Sequence, residues 1–418
     1  MYCGSCLRDN AVASALKSLG HEVFFIPLYT PLKLDTESVA EDTVFYGGIN
    51  VYLQQKSGVF RKTPRALDWI FDTKPVLSLS SKLAGMTKAA DLGELTVSML
   101  KGEGGHQRKE LERLAEYLRD IKPEIINLPN SMFVGTAREI RKSTHVPIIC
   151  SLTGEDLFLE GMIEPYKTQA LALLRDRAKD VDGFVATSRY YADFMSDYLQ
   201  VPREKIDVVP IGINPDAFGR QFARPTNPFT IGYLARIAPE KGLHVLCEAF
   251  KIFKELPGTE SARLRAAGYL GPSDRAYFEK IRAQMKSWGL ADSFDYAGEV
   301  SFEEKLRFLD TLSVFSVPTV YHEPKGLFVL EALAHGIPVV QPNHGAFPEL
   351  IEGTGGGFLF EPEDPEDLAN KLHQLMCDPE AADRFALRGQ ESVRRKFTAI
   401  EMGRTTLSIY ENHRSMAS

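Results

Sequence analysis

Short β-rich runs alternate with helical periodicity along most of the chain, and few folds satisfy that alternation. The runs are 22–28, 125–128, 147–152, 183–187 and 206–209 in the first half, then 230–234, 264–267, 294–297, 314–318 and 338–341 in the second. The segments between them are long enough for helices. Strands joined that way run parallel, with helices covering both faces of the sheet. A length of 418 residues exceeds what one core usually holds, so two domains are expected. The pattern pauses after Pro210, and a Pro/Asn-rich stretch over 224–228 reads as linker. Residues from about 30 to 106 fit the alternation poorly, with glycine breaks around amphipathic pieces, and read as an insertion in the first domain. No internal repeat or low-complexity tract is present.

Residues 317–340 read strand, loop, helix, strand, with Gly336 at the helix stop and Pro338 just beyond. Glu323 falls in the loop and Glu331 inside the helix. The N–H groups of Gly326, Leu327 and Phe328 at the helix start form an anion site, and Glu331, one turn after Leu327, shares that face. Such a site suits a diphosphate with a sugar at one end and a ribose at the other. Two glutamates at this separation also arise by chance in α/β proteins. A second cluster follows the 230–234 run, where Arg236 and Lys241 enter one βα loop and two cations can meet a diphosphate without a metal. The order of glycine, lysine and hydroxyl there is not that of a Walker loop. Gly268, and Gly298-Glu299-Val300, lie at C-terminal strand ends, where open α/β sheets bind ligands.

Composition narrows the function further. Net charge is −7, from 49 basic and 56 acidic residues, with no long basic run, which argues against nucleic acid as a partner. No apolar run approaches 18 residues and the start shows no signal-peptide pattern, so a soluble cytoplasmic protein is expected. Five cysteines, an odd number, fit a reducing compartment. Cys3 and Cys6 form a C-x-x-C pair, either a redox couple or half of a zinc site. No second pair stands at ligand spacing, so no metal is expected and packing in a glycine loop is the simpler reading. The glycines over 353–357 follow a helix and precede a strand, the reverse of the dinucleotide fingerprint, which leaves an NAD-dependent oxidoreductase without its motif.

The residues from Glu323 to Val340 resemble the E-x7-E element of retaining GT-B glycosyltransferases of the family 4 type, in its context E-(P)-x-G-L-x-x-x-E-A-x-A-x-G-x-P-V-V. Residues 235–242 resemble the family's G-R-[LI]-x-x-x-K-G element, with Ala235 in place of glycine. Residues 210–218 resemble its P-x-G-[VI]-[DN]-x-x-x-F hinge. Gly4-Ser5 resembles its N-terminal glycine loop, with Ser5 for the second glycine. Residues 151–156 resemble T-x-H-G-x-D, with Thr153 where the family has histidine.

The resemblance implies two Rossmann-like doubly wound domains facing across a cleft: an acceptor domain over 1–210, a donor domain over 211–395, and a helix over 396–418 crossing back to the first. It implies a retaining, hexosyltransferase-type glycosyltransferase without metal or cofactor. The donor would be a nucleoside-diphosphate sugar, the acceptor a carbohydrate or lipid-linked hydroxyl, with peripheral membrane contact and no nucleic acid. Arg236 and Lys241 would hold the leaving diphosphate with the helix start at Gly326, Leu327 and Phe328. Glu323 would bond sugar hydroxyls and Glu331 the ribose. Gly298, Glu299 and Val300 would back the base, with Gly268 beside them. Gly4, Ser5, Thr153 and Gly154 would face donor phosphate and acceptor. Lys325 replaces a common aromatic residue and adds a cation near the sugar. Threonine at 153 donates a hydrogen bond but holds no charge, so it is not a catalytic base. A nucleotide-sugar-binding protein with impaired or lost transfer stays open as the alternative. A Rossmann domain normally opens with an apolar strand before the glycine loop. The expectation is therefore that the natural protein carries about 8 to 12 further residues ahead of Met1, including such a strand.

Overall fold

Parallel strands joined by helices fill both halves of the chain, as the alternation required. The structure is a computed structural model and describes residues 4–28, 38–41, 45–46, 92–219 and 223–417. Most of the expected insertion over 30–106 lies outside them, as does Cys3. The chain divides into two compact units, Ile211–Glu401 and Tyr2–Pro210 with Met402–Ser418.

In the Tyr2–Pro210 unit, β1 (Ile126–Leu128), β2 (Ile148–Leu152), β3 (Gly183–Ala186) and β4 (Ile206–Val208) form a parallel sheet in the order β1-β2-β3-β4. Every residue of β2 and β3 is buried, the consequence of helices on both faces. The Arg189–Leu199 helix starts where Ser188 Oγ accepts the Tyr191 N–H at 3.2 Å. Gly4 and Ser5 lie in the Gly4–Ser18 helix and not in a loop ahead of it. Cys6 sits half-buried in the same helix. A side chain at Gly403, in the Ala399–Ala417 helix, would collide with Ala15, so the two helices touch there.

The expected strand over 22–28 is a correction. Among the described residues it forms single parallel bridges, Phe25 with Ala40 and Leu28 with Phe45. A strand needs a neighbour along several residues, and the described residues give this run two isolated pairings, with Phe24 left exposed.

In the Ile211–Glu401 unit, β5 (Thr230–Leu234), β6 (Arg263–Ala267), β7 (Phe294–Tyr296), β8 (Val314–Phe315), β9 (Val339–Pro342) and β10 (Gly357–Phe360) form a parallel sheet in the order β10-β9-β8-β5-β6-β7. β8 is shorter than the expected 314–318. The chain leaves the ladder because Gln341 Oε1 takes the Val317 N–H at 3.3 Å and the Thr319 N–H turns back to the Val317 carbonyl at 2.8 Å. The glycine turn expected over 353–357 is confined to Gly355 and Gly356: Gly355 caps the Phe347–Thr354 helix at φ +61°, and Gly357 already opens β10. Among the described residues, no helix is long and apolar enough to cross a membrane.

Candidate active site

The C-terminal ends of β5 and β8 deliver the first group of candidate residues. After β5, a turn of 3-10 helix at Pro239–Lys241 leads into the Leu243–Phe253 helix through Gly242, whose φ is +71°. A Cβ at Gly242 would strike the Pro318 carbonyl, so glycine lets the 235–242 loop lie directly against the chain leaving β8. Lys241 thereby meets Glu323: Nζ donates to Oε2 at 2.7 Å. The Tyr321 hydroxyl donates to the same oxygen at 2.6 Å and accepts from Lys241 at 3.2 Å. The ammonium also stands 5.6 Å from the centre of the Phe328 ring.

Glu323 is 3% exposed. Its Oε1 accepts the N–H groups of Lys325 and Gly326 at 3.3 and 3.4 Å, so the Gly326 N–H expected to face a ligand is turned onto Glu323. Its carbonyl accepts the Ala346 N–H at 2.8 Å. Burial alone would raise its pKa, but Lys241, the Tyr321 hydroxyl and Lys325 outweigh it and hold the carboxyl at about 2. The helix it precedes, Leu327–Ala334, opens on Gly326 at φ +68°. Behind the loop, His344 stacks on His322 with ring centres 4.7 Å apart and bonds the Thr319 carbonyl through Nε2 at 2.8 Å; burial lowers its pKa.

Arg236 follows a different course from Lys241. It pairs with Glu240, four residues on, and keeps 37% of its side chain exposed. Glu331 receives Lys305 Nζ at 3.0 Å from the Phe302–Asp310 helix. Gly268 and Gly298 lie side by side, the Gly268 N–H donating to the Gly298 carbonyl at 2.8 Å, both with positive φ. Glu299 is exposed, and with Val300, Arg265 and Phe308 it lines a cavity of about 240 Å³.

In the Tyr2–Pro210 unit, Thr153 is 5% exposed, and Glu155 Oε2 accepts its N–H at 2.7 Å. Gly154, at φ +99°, donates to the Tyr191 hydroxyl at 2.9 Å, which donates to Asp156 at 2.6 Å. Burial raises the Asp156 pKa. Arg8, from the first helix, is buried and donates to Ser151 Oγ at the end of β2 at 2.8 Å.

The geometry thus joins Lys241 with Glu323, and Gly268 with Gly298, while Arg236 and Glu331 each take a partner that sequence reasoning did not name. Tyr321, Glu240, Lys305 and Arg8 were missed. Lys305 carried a faint signal, a lysine among apolar positions of a short amphipathic helix.

Comparison with known proteins follows the same division. The family described as Glycosyl transferases group 1 matches residues 216–392, and Glycosyltransferase Family 4 matches residues 95–217. The chain is 32% identical over 217 residues to the putative colanic acid biosynthesis glycosyltransferase WcaL of Escherichia coli, covering 50% of this chain and 52% of that protein. The chain spans about half the length of the curated relatives it matches. In structure it is similar to sucrose-phosphate synthase from Thermosynechococcus elongatus, with TM-score 0.69, 18% identity, and coverage of 97% of this chain and 92% of that one. Anabaena Alr3699/HepE in complex with UDP matches with TM-score 0.63 at 15% identity, covering 93% and 100%. With both patterns, the site motifs and two parallel α/β sheets in agreement, the chain belongs to the glycosyltransferases of the group 1, family 4 type, with the GT-B fold.

Proposed function

We propose that the chain is a retaining glycosyltransferase that moves a hexosyl group from a nucleoside-diphosphate sugar to an acceptor hydroxyl without a metal or other cofactor. The observation that carries this reading is the Lys241–Glu323 contact at 2.7 Å beside the start of the Leu327–Ala334 helix. A cation, a helix N-terminus and a buried carboxylate lie together there, which suits a diphosphate on the first two and sugar hydroxyls on the third. The UDP complex of the Anabaena neighbour supports a nucleotide donor.

The donor is assigned to the Ile211–Glu401 unit and the acceptor, a carbohydrate or lipid-linked hydroxyl, to the Tyr2–Pro210 unit. The acceptor oxygen attacks the anomeric carbon from the face the diphosphate is leaving. The C–O bond to the diphosphate breaks, a departing phosphate oxygen takes the acceptor proton, and the sugar keeps its configuration. Lys241, Arg236 and the N–H groups of Leu327 and Phe328 meet the charge that builds on the leaving group. Two of these cations already hold carboxylates, Glu323 and Glu240, so diphosphate binding exchanges one anion for another.

The test is turnover of UDP-, GDP- and ADP-sugars with a panel of acceptors in excess EDTA, with the product anomer read by NMR. Release of nucleoside diphosphate with retained configuration supports the reading. Donor binding with neither transfer nor hydrolysis would establish the nucleotide-sugar-binding alternative, to which Thr153 in place of histidine points. Inverted product would overturn the mechanism.

A further inference from the structure

Glu331, to which the family resemblance assigns the ribose hydroxyls, is held by a second side chain. Lys305 Nζ reaches its Oε1 at 3.0 Å, and the two side chains are only 11% and 12% exposed. Lysine is seldom buried this far unless paired. No hydrogen bond to Oε2 is formed among the described residues.

Lys305 is also anchored. The Phe302–Asp310 helix begins two residues after Val300 and carries a reciprocal cap: Ser301 Oγ accepts the Glu304 N–H at 3.3 Å, and Glu304 accepts the Ser301 N–H at 2.8 Å. The Phe302 ring stands 5.3 Å from the ammonium. The helix that follows the Gly298-Glu299-Val300 loop therefore sends a cation onto the acid of another helix, 26 residues later.

We infer that Lys305 is a positioning residue for nucleotide recognition: it occupies Oε1 of Glu331 and compensates its charge, leaving Oε2 to select a ribose with a free 2′-hydroxyl. This rests on the proposed nucleotide-sugar reading. A carboxylate with four lone-pair sites can serve the ammonium and a diol together. Without the ammonium, a nearly buried acid loses the hydrogen bond that orients Oε1 and the charge that faces it. The connection also ties the loop assigned to the base to the acid assigned to the ribose.

The probes are UDP and 2′-deoxy-UDP, with the GDP and ADP pairs in parallel, measured by calorimetry on the full chain. Wild type should prefer the ribose form by about 10-fold to 100-fold, as for one hydrogen bond to a charged acceptor. Lys305→Met should lose affinity for the ribose form by a similar factor and bind both forms nearly equally, while Lys305→Arg restores most of the preference. If Lys305→Met does not fold, Lys305→Met/Glu331→Gln removes the uncompensated acid and should fold with the preference still reduced. Wild-type preference retained in Lys305→Met or in the double variant would overturn the inference and leave the nucleotide reading standing. Wild type that binds ribose and deoxyribose forms equally, or binds none of the probes, would overturn the assignment of Glu331 itself.

Discussion

Nζ of Lys241 stands 2.7 Å from Oε2 of Glu323 across 82 residues of sequence, and the Tyr321 hydroxyl touches both. One ammonium therefore compensates a buried carboxylate and, in the proposed reaction, meets the leaving diphosphate. Lys241→Ala removes both roles. Transfer should slow by roughly 10² to 10³, and stability should fall by about 3 to 5 kcal/mol because Glu323 is left charged and buried. Arg236→Ala should show a similar rate loss with less than about 1 kcal/mol in stability, since its pair with Glu240 is partly exposed. Steady-state rates and denaturant unfolding check both variants, and wild-type rates in the two would remove them from the reaction.

The Glu323 carboxyl is held at about 2 in the folded chain against an ordinary 4.5. A depressed folded value means that its contribution is present above pH 4.5 and is lost as pH falls through that value toward 2. Its size is about 3 kcal/mol. Unfolding free energies of wild type and Glu323→Gln should therefore converge between pH 5 and pH 2, apart from acids common to both. A constant difference across that window would mean that Glu323 is not ionised by its neighbours.

Glu331 and Glu323 should fail in different ways. Glu331→Ala is expected to weaken free nucleoside diphosphate as well as donor, whereas Glu323→Ala spares nucleoside diphosphate and lowers turnover. Calorimetry beside donor turnover separates the two, and the reverse pattern would exchange the assignments.

Gly345 lies under the loop that carries Glu323. Its φ is +60°, and a Cβ there would stand 2.6 Å from the Glu323 carbonyl oxygen and 2.8 Å from its nitrogen. Gly345→Ala must push that backbone away, so turnover should fall by at least about tenfold while the chain stays folded, at a cost of about 1 to 3 kcal/mol. Unchanged kcat with a folded variant would show that the position of Glu323 is not critical.

Much of the framework was legible because strands buried on both faces must be apolar along their length, as β2 and β3 are, and because a helix needs a local stop such as Gly336. The loops carrying Arg236, Lys241 and Glu323, and the helix start ahead of Glu331, were legible for a related reason. A strand end, a glycine with positive φ and a helix start are local requirements, and they leave residue types at fixed spacing. The 22–28 run misled because β-rich composition does not supply a neighbour, and among the described residues it forms single bridges.

Sequence by itself determined two parallel α/β units and the loops that carry the site residues, since backbone conformation and burial act within a few residues of each other. Only the tertiary structure decided which charges meet. The sheet order β9-β8-β5 brings Gly242 against Pro318 and so lays Lys241 on Glu323, and a separate helix carries Lys305 to Glu331. Ion pairing depends on distances of a few ångströms between side chains far apart in the chain. Local spacing holds no record of such distances until the strands are ordered.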